Sequence, residues 1–118
     1  MTGTAGARPA PPTPFELVAR LADVPEGGLL GVVKQDGDRV CLVNLGGTIY
    51  AVSNTCTHQE FPMSDGVLLP DGCLECAWHG AMFDCRTGAV KRFPATEPLP
   101  VYEVMVEGED IYVGRRTS

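Results

Sequence analysis

Cys56-Thr57-His58 and Cys76-Ala77-Trp78-His79-Gly80 are the stretches on which the reading of this chain turns; seventeen residues separate His58 from Cys76. Each stretch offers one thiol and one imidazole, and together they hold both histidines of the 118-residue sequence. Cys-X-His is too tight for two ligands on successive helical turns, so it needs extended or looping backbone. Cys-X2-His makes a short knuckle. Pro62, Gly66, Pro70, Gly72 and Gly80 lie around the pair, as loops require. The spacing predicts two loop tips that converge on one metal centre.

Two kinds of centre suit these donors. A structural zinc takes two Cys and two His in a single tetrahedron. A mixed-ligand [2Fe–2S] cluster splits the same set, with two thiolates on one iron and two imidazoles on the other. Cys56-X-His58 together with Cys76-X-X-His79-Gly80 resembles the signature of the Rieske family. The downstream runs Phe83-Asp84-X-X-Thr87-Gly88 and Pro94-X-X-X-Pro98-X-Pro100 are similar to that family's motifs too. The resemblance covers roughly residues 15 to 115. It implies one Rieske-type [2Fe–2S] cluster, with Cys56 and Cys76 on the inner iron and His58 and His79 on the outer. It also implies that the proline run folds over the cluster beside the two ligand loops.

The same resemblance bears on redox potential. High-potential members of the family place a Ser and a Tyr hydroxyl on cluster sulfur atoms and join the two ligand loops by a disulfide. Here those positions match Ala81, Phe83, and the pair Phe61 and Trp78, none of which supplies the feature. Two neutral imidazoles in place of thiolates raise the potential above that of an all-Cys ferredoxin. Without the extra donors, the expectation is the low end of the Rieske range, about −150 mV.

Fifteen acids against nine bases give a formal charge of −6. No basic stripe is present, which argues against nucleic acid as a partner. No apolar run reaches the length of a membrane helix. Residues 1–14, with Pro9, Pro11, Pro12 and Pro14 among Gly, Ala and Thr, lack the apolar segment of a secretory signal and read as a disordered tail. A cytoplasmic location is the expectation. Cys41, Cys73 and Cys85 are left outside the metal set and read as buried small apolar side chains.

The remainder is a series of short strands. Phe15–Ala19, Leu30–Lys34, Val40–Leu45 and Thr48–Val52 are rich in strand formers, with Gly46-Gly47 as a two-residue hairpin link. Ile49 and Ala51 alternate with Tyr50 and Val52, which predicts a strand buried on both faces. Val67–Leu69, Cys73–Cys76 and Met82–Asp84 follow, with Asp84 capping the next turn. Tyr102, Val104 and Val106 alternate with Glu103, Met105 and Glu107, a half-buried strand, and Ile111–Val113 returns. Pro25 and Gly27-Gly28 forbid a long helix after the first strand. The predicted class is all-β: a small antiparallel sandwich or barrel with a smaller cluster-binding subdomain. One domain spans 15–116, with ligand loops at about 54–63 and 75–84 and the proline loop at about 93–100.

No histidine remains for a second, mononuclear iron, and no Gly-rich dinucleotide motif opens a helix. The resemblance therefore implies a one-electron carrier rather than an enzyme. Its partners would be a flavin-dependent ferredoxin reductase and the terminal oxygenase of an aromatic-ring-hydroxylating system. The small Rieske subunit of a nitrite-reductase-like complex and a zinc-stabilised binding module are the alternatives.

Overall fold

The computed structural model describes residues 15–55, 62–77, 80–92 and 97–117. Ten strands follow in chain order: β1 (Glu16–Arg20), β2 (Leu29–Val33), β3 (Arg39–Leu45), β4 (Thr48–Ser53), β5 (Val67–Leu68), β6 (Cys73–Glu75), β7 (Met82–Asp84), β8 (Val90–Arg92), β9 (Val101–Glu107) and β10 (Asp110–Arg116). Two single-turn 3-10 helices, Leu21–Asp23 and Met63–Asp65, complete the described elements. The first occupies the segment where Pro25 and the paired glycines leave no room for anything longer.

The strands form two antiparallel sheets. The large one has the order β1-β10-β9-β4-β3-β2, and the small one runs β5-β6-β7-β8. β3 and β4 pair from Val40–Ser53 to Leu45–Thr48. Gly46 (φ 62°) and Gly47 (φ 95°) link them; positive φ at both central residues matches the right-handed twist of the flanking strands. Asn44 secures this end, accepting from the Gly47 N–H at 2.8 Å and donating to the Val24 carbonyl at 2.8 Å.

Alternation along β3 and β4 places side chains in two separate cores. Val40, Leu42, Ile49 and Ala51 point into the large sheet with Val24, Tyr102, Ile111 and Val113. Cys41, Val43 and Val52 face the other way, packing with Met63, Leu74, Phe83, Cys85 and Leu99. The small sheet covers the outer face of these two strands. That is why both faces of β4 are buried, as its sequence predicts.

Three details differ from the sequence expectations. Val106 is 43% exposed although it lies on the inward face of the alternation. β9 pairs with β4 only at Val101 and Tyr102; beyond that, among the described residues, it pairs with β10 alone. Cys73 is half-buried, unlike Cys41 and Cys85, which are fully enclosed. It pairs with Asp84 across the ladder, whereas the next residue, Leu74, points to the core. β8, with Lys91 and Arg92 at its end, has no counterpart in the sequence reading. Three residues, two of them charged, carry no period.

Candidate metal centre

The first ligand loop is fastened where it leaves and re-enters the fold. Thr55 and Pro62 form an isolated bridge, and the Met63 N–H donates to the Asn54 carbonyl at 2.8 Å. The Asn54 side chain reaches across as well. Its Oδ1 accepts from the Ser64 N–H at 2.7 Å and its Nδ2 donates to Ser64 Oγ at 3.1 Å. Cys56, His58, Gln59 and Phe61 lie between these anchors and outside the described residues.

The second loop leaves from β6 and returns into β7. The Cys76 N–H donates to the Ala81 carbonyl at 2.8 Å, closing the knuckle one residue beyond the ladder pair Glu75–Met82. Cys76 is 2% exposed. Gly80 has φ 71°, a backbone state that side-chain-bearing residues rarely adopt. His79 and Trp78 fall outside the described residues, as do residues 1–14 and the proline-loop residues 93–96.

The proline loop returns through Leu99, whose N–H donates to the Gly88 carbonyl at 2.8 Å, and Pro100, whose carbonyl accepts from the Ser53 N–H at 2.8 Å. A Cβ on Gly88 would land on the Leu99 carbonyl oxygen, so glycine is what lets the two backbones approach. Met63, Cys76, Ala81 and Leu99, which border the three loops, all belong to one buried cluster. The described stems of the ligand loops and the proline loop therefore meet at one place, over the small sheet.

Residues 15–103 match the profile of the Rieske [2Fe-2S] domain. The chain belongs to the Rieske family. Its cofactor is one Rieske-type [2Fe–2S] cluster. The 3-phenylpropionate/cinnamic acid dioxygenase ferredoxin subunit of Escherichia coli (strain K12) is 42% identical over 93 residues, covering 79% of this chain and 86% of that protein. Two solved structures are similar in fold as well. One is a complex of reduced oxygenase and oxidized ferredoxin in carbazole 1,9a-dioxygenase (TM-score 0.80, 30% identity, covering 86% of this chain and 94% of that one). The other is the ferredoxin of carbazole 1,9a-dioxygenase from Nocardioides aromaticivorans IC177 (TM-score 0.77, 36% identity, covering 84% and 95%).

The donor chemistry of the described residues fits a cluster of this kind. Cys76 offers a thiol inside an apolar cluster of Met63, Ala81, Phe83 and Leu99, the dry setting in which a metal-bound thiolate is shielded from water. Among the described residues no group of three His, Cys, Asp or Glu side chains could hold a metal ion. Cys85 is 1% exposed, and burial pushes its thiol up to about 11. Cys41 is pushed up to about 12 by burial, with Cys85 adding to the effect.

Asp84 caps its turn as the sequence predicts. Its Oδ1 accepts from the Arg86 N–H at 2.8 Å and pairs with the Arg86 guanidinium at 3.1 Å. Partial burial pushes this carboxyl up, but the Arg86 bonds outweigh it and hold the group below the usual range. Met63 is fully buried and belongs to the same core cluster as Cys76, the Rieske centre's one described ligand candidate. The sequence reading missed the Asn54–Ser64 clamp and Arg92, whose guanidinium bonds both Glu75 and Gly80. Only a fold that brings sequence-distant residues together makes these visible.

Proposed function

We propose that this Rieske protein is the ferredoxin component of a ring-hydroxylating dioxygenase system. It takes single electrons from a flavin-dependent reductase and passes them to a terminal oxygenase, with no reaction of its own on a substrate. The observation that carries the reading is the 42% identity spread over 86% of a dioxygenase ferredoxin subunit. Such a match relates the chain to a whole carrier rather than to one module of a larger oxygenase. No helix among the described residues is long and apolar enough to cross a membrane, and a cytoplasmic location goes with the proposal.

Cys56 and Cys76 hold one iron, and His58 and His79 hold the other. Supporting this are the burial of Cys76 and the convergence of the loop stems in one core cluster. When bound, the cluster supplies a site that accepts and releases one electron. The chain's residues govern how readily it does so. Ala81 and Phe83 are fully buried beside Cys76 and carry no side-chain donor, so negative charge on the reduced site is less stabilised. Met63 and Leu99 exclude water from the Cys76 side.

The test is anaerobic purification followed by visible spectroscopy, electron paramagnetic resonance of the reduced protein, and voltammetry. The expected result is a coloured protein, a signal typical of mixed His/Cys ligation, and a midpoint of about −150 mV. A colourless zinc protein, or a midpoint well above zero, would refute the reading. Stoichiometric copurification with one large reductase subunit would instead mark it as a fixed component of a complex.

A further inference from the structure

Arg92 ends β8, on the edge of the small sheet, and its side chain reaches back over β7 to the second ligand loop. Its Nη2 bonds Glu75 Oε2 at 3.0 Å and its Nε donates to the Gly80 carbonyl at 3.2 Å. Glu75 immediately precedes Cys76, and Gly80 immediately follows His79. One guanidinium therefore bonds the residue on each side of the Cys76–His79 knuckle. The missing side chain of Gly80 is part of the arrangement. A Cβ there would lie 3.1 Å from Arg92 Nη2 and 3.3 Å from Glu75 Oε2, in the space the ion pair fills.

We infer that Arg92 is a positioning residue for the cluster, stapling both ends of the second ligand loop and neutralising Glu75 beside it. The inference rests on the ligand assignment proposed above and deepens it. An exposed ion pair contributes little to stability in general, and Arg92 is 55% exposed. Its effect is local instead. A planar fork fixes two acceptors at once, which a lysine cannot reproduce, and partners that orient metal ligands typically change metal retention by about 10–100-fold when removed. The charge effect has a definite sign. Without Arg92, the Glu75 carboxylate stands unpaired next to a cluster ligand and opposes the added electron, so the potential falls.

The experiment uses the purified holoprotein and four variants: Arg92→Gln, Arg92→Lys, Glu75→Gln and the double Glu75→Gln/Arg92→Gln. Lys91→Gln is the neighbouring-charge control. Two readouts are taken: the half-life of the visible band under an iron chelator, and the midpoint potential. Arg92→Gln should bleach about tenfold faster and shift the potential negative. The double variant should return the potential towards wild type while bleaching stays fast. Arg92→Lys should keep the potential and recover part of the half-life, and Lys91→Gln should keep the wild-type half-life. Wild-type bleaching and potential in Arg92→Gln would overturn the inference. So would fast bleaching with an unmoved potential and no rescue by lysine, which marks a structural contact alone. If Arg92→Gln is isolated colourless, Arg92→Lys decides: a cluster at near wild-type potential supports the inference and its absence overturns it. A wild type without the iron–sulfur spectrum would sink the ligand assignment instead, which keeps the two failures distinct.

Discussion

Ala81 and Phe83 follow the second loop as buried apolar side chains, at positions that by sequence resemblance correspond to the hydroxyls of high-potential members of the family. Ala81→Ser would supply a hydroxyl at that position, so its midpoint should rise; voltammetry of that single variant checks it. Phe83 is 0% exposed, and Phe83→Ala should destabilise the protein by about 3–5 kcal/mol through the cavity it leaves, measured by denaturant titration. Cys41 gives a pH prediction. Its thiol moves from an ordinary 9.0 to about 12 because it is buried. The unfolded chain loses that proton first as pH rises. Its contribution to stability is therefore whole below about pH 9 and vanishes as pH climbs through about 12. Thermal midpoints should drop from pH 8 to 10.5, and the drop should be shallower in Cys41→Ala.

Individual contacts become loop anchors at the next scale. Asn54→Ala leaves the Ser64 N–H and Oγ without their clamp and should cost about 1–3 kcal/mol, with faster cluster loss under chelator. Gly66 packs so closely on β6 that a Cβ would land on the Glu75 carbonyl. Gly66→Ala should therefore push β5 and β6 apart where Val67 pairs with Glu75. Hydrogen exchange at β6 should report this as lost protection, while β3 and β4 keep theirs. Both loops are thus held by side chains and glycines rather than by long ladders, since the small-sheet strands have only two or three residues each.

At the scale of the whole molecule, the described residues form two cores that share β3 and β4 as a wall but no buried residue. Cys76 belongs to the core under the small sheet. Cys76→Ser should therefore lose the cluster and loosen the small sheet, while the large sheet survives with its own core. Circular dichroism should retain the β signal, and hydrogen exchange should show protection confined to the large sheet. Complete unfolding would mean that metal binding supports the entire domain.

The residue pattern by itself determined the all-β class, most strand positions and the family, because alternation and turn glycines are local signals and the Cys/His spacings are specific. It also yielded the double burial of β4, which alternation of apolar residues on both faces encodes directly. Only the tertiary structure decided what covers those faces, since sheet order depends on contacts far apart in sequence. The same reason hid β8 and Arg92: three residues show no period, and the bonds from Arg92 to Glu75 and Gly80 span 17 and 12 positions.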